Sequence, residues 1–190
     1  MPTVLTLQSK QKRMLQFYNS VIPQHNDIYI AIGYSTMWGP GQDPIVPLET
    51  DTLATYNTLV YGYQTYKNIL FAKPIVNPTE EQKQTAIYYK DVYYDTISDY
   101  QQALDEGYTR ILLRFVLDKD EYSEIANVPF DVIGMYTGVD PGDISDKYFI
   151  TVEEFESEIA SQGVLELIST RGVITRSDDQ IEEVIILLEF

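Results

Sequence analysis

The period of the hydrophobic positions changes along the chain, and each period predicts a kind of element. Residues 9–22 carry four apolar side chains at helical spacing, which predicts an amphipathic N-terminal helix that ends before Pro23. These side chains are Met14, Phe17, Tyr18 and Val21. The next apolar run, DIYIAIG at residues 27–33, predicts a strand. Residues 33–50 contain too many prolines and glycines for regular structure and are predicted to form a loop.

Apolar runs of strand length predominate after this loop. Residues 51–62 are predicted to form a short helix, and most of the later apolar runs are predicted to be strands. The predicted strands lie around 67–76 and at AIYYKDVYYDT (86–96), TRILLRFVLD (109–118), FDVIGMYTGV (130–139), GVLELIST (163–170) and EEVIILLEF (182–190).

Two capping patterns predict further short helices. In SDYQQALDEG, Ser98 is the predicted N-cap, Gln101 completes a capping box and Gly107 ends the helix. Thr151 and Glu154 form the same pattern before VEEFESEIASQG.

The predicted fold is therefore mostly β (α+β), a two-layer β-sandwich-like fold with an N-terminal helix and two or three short helices. At 190 residues and 44% hydrophobic, the chain is long enough for one core, so we expect a single domain over 1–190. Its parts are an N-terminal helix and arm at 1–25 and the Pro/Gly loop at 33–50.

Composition excludes several classes of protein. The chain has no cysteine, which excludes disulfides, zinc–thiolate sites and a cysteine nucleophile and fits synthesis in a reducing cytoplasm. The formal net charge of −16 disfavours binding to nucleic acid. Residues 1–26 contain no acid while residues 118–190 are strongly acidic, which suggests that one end docks against a surface of opposite charge. Without a long apolar segment, we expect a soluble protein that is neither membrane-spanning nor Sec-exported.

The sequence does not indicate catalysis, a cofactor or a metal. Asp140, Asp143 and Asp146 lack the alternate-residue spacing of a calcium loop and are better interpreted as a polar turn. Asp118 and Asp120, with Glu121, could bind a cation or serve as an acid pair, but strand-end carboxylates are usually solvated. The single histidine, His25, lies in a predicted turn, and nucleophile-elbow, zincin and Walker motifs are absent.

Sixteen tyrosines are the most unusual part of the composition. Five of them, Tyr88, Tyr89, Tyr93, Tyr94 and Tyr100, lie close together in the sequence. Tyrosine suits both protein interfaces and sugar-binding faces, because its ring packs while its hydroxyl stays hydrated. Alternation along a strand would also place about half of these rings in the core.

Four segments in order carry a resemblance to a known family. They are KRMLQFYNSV with IYIAIGYSTMW (12–38), YYDTISDYQQALDEGYTRILLRFVL (93–117), FDVIGMYTGVDP (130–141) and GVLELISTRGVITRSDDQIEEVIILLEF (163–190). Together they resemble the baseplate wedge subunits of T4-like contractile-tailed bacteriophages, the gene product eight family. Tyr34 stands where that family usually has arginine, and Met37 and Gly172 stand where it has proline. The chain is also much shorter than the T4 member.

The resemblance implies a mostly β, two-layer fold, no enzymatic activity and a structural role in the tail baseplate of the virion. It also implies synthesis in the host bacterial cytoplasm and contacts with other baseplate wedge and tail proteins. The T4-type protein is a homodimer, so a homodimer is possible here.

Six residues are candidates for these contacts: Trp38, Pro40, Tyr34, Tyr93, Arg171 and Arg176. Prolines limit the conformations of the 33–50 loop, so Trp38 could anchor it in a partner at low entropic cost. Alternatively, Trp38 covers the protein's own core beside Ile30 and Ile32. The two arginines could bind a partner's carboxylate or pair internally with Asp178, Asp179 or Glu182.

Two other functions remain open at the sequence level. A carbohydrate-binding tail or fibre-adaptor module would use the tyrosine-rich strand. A small hydrolase would use the carboxylates near Asp118.

Overall fold

The computed structural model describes residues 4–21, 28–36, 38, 41–52, 56–64, 69–117, 127–144, 149–175 and 181–190. Its helices are α1 Leu7–Val21, α2 Glu80–Thr85, α3 Tyr100–Asp105 and α4 Val152–Ser157, with a short 3-10 helix at Gly142–Ile144. Its strands are β1 Ile28–Tyr34, β2 Asn57–Gln64, β3 Ile69–Pro74, β4 Ile87–Tyr89, β5 Val92–Ile97, β6 Arg110–Leu117, β7 Pro129–Thr137, β8 Phe149–Thr151, β9 Val164–Thr175 and β10 Glu182–Glu189.

The strands form two antiparallel five-stranded sheets. The first has the order β8-β2-β1-β7-β9 and the second the order β10-β6-β3-β5-β4. With its N-terminal helix and few short helices, the chain has the predicted mostly β fold class. No helix in the described ranges is long and apolar enough to span a bilayer.

The contacts within the chain divide it into two compact units. One unit comprises Met1–Ser20, Tyr66–Phe115 and Glu183–Phe190, and the other comprises Val21–Thr65 and Val116–Glu182. The single domain expected from chain length stays a prediction.

Helix α1 packs through the apolar side chains that predicted it. Met14 is fully buried, and the ring of Tyr18 lies 5.0 Å from that of Phe71 and 6.1 Å from that of Tyr100. The ring of Phe17 lies 5.6 Å from that of Phe190. Tertiary contacts to rings distant in sequence therefore hold the predicted helix.

The unit built on the β1–β2–β7–β9 strands has its own hydrophobic cluster. Its buried members are Tyr29, Ala31, Trp38, Tyr56, Val132, Val139, Ile150 and Phe155. Four of them lie on strands, whereas Trp38 follows β1 at the start of the predicted loop and Tyr56 immediately precedes β2. The segment that joins β1 to β2 is therefore attached to this cluster near both of its ends.

Two predicted elements are wrong. Residues 57–64 form β2, not part of a helix, because they pair with β1 on one side and β8 on the other. Residues 86–96 form a hairpin of β4 and β5, not one strand, because Lys90 and Asp91 both adopt positive φ, at 47° and 64°. Two consecutive left-handed residues form the tight turn that suits a two-residue hairpin.

The capping predictions are partly confirmed. Thr151 and Glu154 form the predicted capping box of α4. The N-cap of α3 is Asp99 rather than Ser98, since the Asp99 carboxylate accepts the Gln102 N–H. The sequence reading missed α2, which begins with a capping box of Thr79 and Gln82.

Candidate functional site

The Pro/Gly loop begins at a buried carboxylate. Asp131 on β7 is fully buried, and its Oδ1 accepts the backbone N–H of Ser35 at 2.7 Å. Burial raises the pKa of Asp131, and the hydrogen bonds from backbone N–H groups oppose this shift. Within the described residues Asp131 Oδ2 has no hydrogen-bond partner. The loop thus leaves β1 at a fixed backbone position.

Trp38 lies inside the hydrophobic cluster of this unit. It is 4% exposed and belongs to the same cluster as Tyr29, Ala31 and Val132. Its Nε1 has no hydrogen-bond partner in the part of the chain that the structure describes. Its position corresponds to the core alternative, although with different neighbours from the expected Ile30 and Ile32. A direct role of Trp38 in an interface stays a prediction.

The far part of the loop presents apolar side chains on a fixed backbone. Residues 45–48, here named the apolar loop, expose Ile45 by 48%, Val46 by 80% and Leu48 by 68%. The Thr170 hydroxyl on β9 donates to the Ile45 carbonyl at 2.9 Å. The carboxylate of Asp51 accepts the Leu48 N–H at 2.8 Å.

Asp51 also connects the apolar loop to the core. The same Oδ2 atom accepts the hydroxyl of buried Tyr56 at 3.1 Å. Burial and the neighbouring Asp51 carboxylate raise the pKa of Tyr56, so its hydroxyl stays protonated and donates. Because Tyr56 belongs to the hydrophobic cluster, Asp51 fixes the end of the apolar loop to this unit.

An open groove separates the apolar loop from β9. It has a volume of about 270 Å³. Its lining comes from two stretches of chain, Pro47, Leu48, Glu49 and Asp51 on one side and Leu165, Glu166, Leu167 and Ile168 on the other.

The tyrosine-rich segment divides between a core face and an open face. Tyr94 is buried in the cluster with Ala72 and Leu112, and Tyr89 packs against it. Tyr88 and Tyr93 are cross-strand partners with ring centroids 4.7 Å apart, and Tyr88 is 54% exposed. The pair forms an aromatic surface on the β4–β5 hairpin, as strand alternation predicts.

The remaining candidates do not form one site. Tyr34 ends β1 and is partly buried. Arg171 pairs internally, with its Nη2 3.2 Å from Glu182 Oε1. That pair is one of the alternatives that the sequence left open. The other two interface candidates, Pro40 and Arg176, lie outside the described residues.

Three residues of the basic N-terminal stretch lie on α1. Lys10, Lys12 and Arg13 form no ion pair with any acid that the structure describes. Other bases are engaged, as in Arg110 with Glu189 and Arg114 with Glu183. Within the described residues, these three bases are therefore not neutralised by ion pairs.

Only Asp140 and Asp143 among the carboxylate candidates lie in the described part of the chain. In the described ranges, no group of three or more His, Cys, Asp or Glu is placed to hold a metal ion. His25, Asp118, Asp120, Glu121 and Asp146 lie outside those ranges. The surface that is described offers exposed apolar and aromatic groups on a fixed backbone, which is the chemistry of a structural, protein-binding protein.

Comparison with known families agrees with this class. The family model described as "Baseplate wedge 3 tail fiber network component" matches residues 8–190, and the chain belongs to that family. It is a structural component of the phage tail baseplate and part of a network with other baseplate and tail proteins. Its location is the baseplate of the virion tail. No curated protein matches the chain.

The match confirms the predicted baseplate wedge subunit. The finer assignment to the gene product eight family stays a prediction.

Sequence reasoning missed the apolar loop and its support. The signal was present in DPIVPLETD, where Ile45, Val46 and Leu48 stand in a segment that proline content marks as a loop. Consecutive apolar residues in a predicted loop indicate either a core contact or an interface. Only the exposure of their side chains distinguishes the two.

Proposed function

We propose that this baseplate component joins other wedge or tail proteins through the apolar loop and performs no catalysis. The observation that carries the proposal is the exposure of Ile45, Val46 and Leu48 on a backbone fixed by Thr170 and Asp51. Such a loop presents apolar area without first having to be ordered, which lowers the entropic cost of association.

The other candidates have supporting roles in this proposal. Trp38, buried at the start of the loop, holds the loop on its own unit rather than contacting the partner. The Tyr88 and Tyr93 pair supplies a second contact surface, since exposed tyrosine is enriched in interfaces. The homodimer implied by the resemblance stays a prediction.

A charge placed on the apolar loop tests the proposal. Val46 and Val76 are exposed by nearly equal amounts, 80% and 82%, so Val76→Asp is a matched control for Val46→Asp. Neither substitution removes a buried group, and both purified variants should unfold at the wild-type temperature. In an interface, the buried charge at position 46 would be strongly unfavourable.

We expect phage carrying Val46→Asp to contain little of this chain in their purified particles. Phage carrying Val76→Asp should contain the wild-type amount, as measured by mass spectrometry. Normal incorporation of a correctly folded Val46→Asp variant would contradict the proposal.

A further inference from the structure

We propose that the groove between β9 and the apolar loop binds an extended segment of another baseplate or tail protein, rich in Lys or Arg alternating with apolar residues. The segment adds a strand to the outer edge of β9. This inference rests on the proposed function and specifies the chemistry of the partner.

The first observation is that β9 ends its sheet. In the order β8-β2-β1-β7-β9, its neighbour among the described strands is β7. Alternate backbone N–H and C=O groups of an edge strand point away from the sheet and can pair with a further strand. Addition of a strand at such an edge is a recurrent way of binding an extended peptide.

The second observation is that the free edge is short. The apolar loop contacts β9 at Thr170, whose hydroxyl donates to Ile45. At Leu165 and Leu167, which pair with Tyr136 and Met135, β9 contains a bulge with Glu166 as its extra residue. Bulges and covering loops prevent open-ended pairing of edge strands. The part of the edge that lines the groove, residues 165–168, contains this bulge at its start and ends before the loop contact at Thr170, so it suits one short segment rather than continued sheet growth.

The third observation is the shape and lining of the groove. At about 270 Å³ it lies below the roughly 300–1,000 Å³ of typical small-molecule pockets. Leu48, Leu165, Leu167 and Ile168 supply apolar walls along both sides. A strand edge beside apolar walls recognises backbone groups and alternate apolar side chains together.

The charges of the groove specify the rest of the partner. Its charged lining residues are Glu49, Asp51 and Glu166, all acids. Asp51 is engaged by Leu48 and Tyr56, and Glu166 accepts the Thr137 hydroxyl at 2.6 Å. Glu49 is exposed. An approaching segment thus meets negative charge, which favours a basic partner and disfavours an acidic one.

The probe is a capped synthetic hexapeptide of alternating Lys and Val, added to the full 190-residue chain. The matched peptide replaces every Lys with Glu. Hydrogen exchange followed by mass spectrometry reports protection of backbone amides, and a fluorescent version of each peptide gives the affinity. We expect saturable binding of the Lys peptide with new protection confined to the segment containing residues 165–168.

Charge reversal at Glu49, which lines the groove, provides the second measurement. Glu49→Lys should weaken binding of the Lys peptide on the order of fivefold, since it replaces one exposed attraction with a repulsion. Glu156→Lys is the control, because Glu156 is an exposed residue of the same unit outside the groove lining. It should bind the Lys peptide with the wild-type affinity.

Three results would overturn the inference. They are equal binding of the Glu peptide, protection elsewhere than 165–168, and equal affinities for the Glu49→Lys and Glu156→Lys variants. Failure of the proposed function is separate, since it is read from the amount of the Val46→Asp variant in particles. If the Val46→Asp variant is missing from particles but the Lys peptide does not bind, the proposed role of the apolar loop in assembly stands and the strand-addition site is rejected.

Discussion

At the scale of single residues, Asp131 fixes the start of the loop at a place where burial disfavours the charged form of its carboxyl. Its carboxyl is fully buried, and one oxygen accepts the Ser35 N–H. Because burial raises its pKa, the folded protein keeps this proton at pH values where the unfolded chain has released it. Its contribution to the free energy of unfolding therefore decreases as the pH rises through the folded-state pKa.

Asp131→Asn isolates this contribution. The amide oxygen can still accept the Ser35 N–H, but the side chain does not titrate. We expect the free energy of unfolding of the wild type, relative to that of the variant, to fall as the pH rises from about 4, the ordinary pKa of an Asp carboxyl, through the raised folded-state pKa. Urea denaturation of both proteins at each pH measures it. A difference that does not change with pH would show that Asp131 has the same pKa in both states.

Trp38 illustrates a different kind of residue. Its neighbours in sequence, glycine and proline, made an anchor for a partner and a cover for the core equally reasonable. Its 4% exposure among Tyr29, Ala31 and Val132 depends on strands that are distant in sequence. No local pattern contains that information.

At the scale of elements, the start of β9 depends on a glycine. Gly163 has φ +65°, and a Cβ there would lie 2.7 Å from the carbonyl carbon of Gly138 and 2.8 Å from the N of Val139, besides contacting the Thr137 carbonyl oxygen. Gly138 has nearly the same φ, +67°, but a Cβ there would meet no atom within 4 Å. Both positions have a left-handed φ, but only Gly163 lacks room for a Cβ.

Alanine at each position separates these effects. Gly138→Ala should lower the free energy of unfolding by about 1–2 kcal/mol, the cost of a left-handed alanine. Gly163→Ala should cost more than twice as much, because rigid backbone must move to admit the methyl group. Denaturant unfolding of both variants measures the two losses. Equal losses would mean that the backbone at 137–139 moves freely to admit the methyl group at position 163.

The β4–β5 hairpin shows why one strand was predicted where there are two. AIYYKDVYYDT alternates well enough for a continuous strand, and Lys-Asp is not the Asn-Gly or Asp-Gly pair that usually marks the turn. The positive φ of Lys90 and Asp91 is stabilised by strand pairing on both sides, including Tyr88 with Tyr93. The cross-strand contacts therefore override the local preference.

At the scale of the whole molecule, the chain alternates between its two units. Following the sequence, it passes from one unit to the other after Ser20, Thr65, Phe115 and Glu182. Each unit therefore depends on segments that are far apart in sequence, and its loops are closed only when those segments pair. Removal of the C-terminal segment should consequently destabilise the unit that is formed mainly by Tyr66–Phe115.

Deletion of residues 183–190 tests this dependence. It removes most of β10, the neighbour of β6, with the buried side chains of Val184 and Ile186 and the acids that pair with Arg110 and Arg114. Each buried aliphatic side chain contributes about 1.5–3 kcal/mol, so the free energy of unfolding should fall by several kcal/mol. Deletion of residues 1–5, which include the exposed Val4 and Leu5, is the control and should change little. Equal stabilities of the two truncated chains in urea would contradict the prediction.

The sequence by itself determined the class and many local elements. Apolar periodicity predicted α1, β1, β6, β7 and β10, and the Thr151 and Glu154 pattern predicted the start of α4. The resemblance of four ordered segments to a known phage family predicted a baseplate wedge subunit, which the family match confirms. These features depend on nearby residues or on segment order, both of which can be read along one chain.

Only the tertiary structure decided what depends on distant partners. It made residues 57–64 a strand through pairing with β1 and β8 and buried Trp38. It also left Ile45, Val46 and Leu48 exposed beside the edge of β9. Pairing, burial and exposure are set by which remote segments meet, and the sequence pattern around each residue does not contain that information.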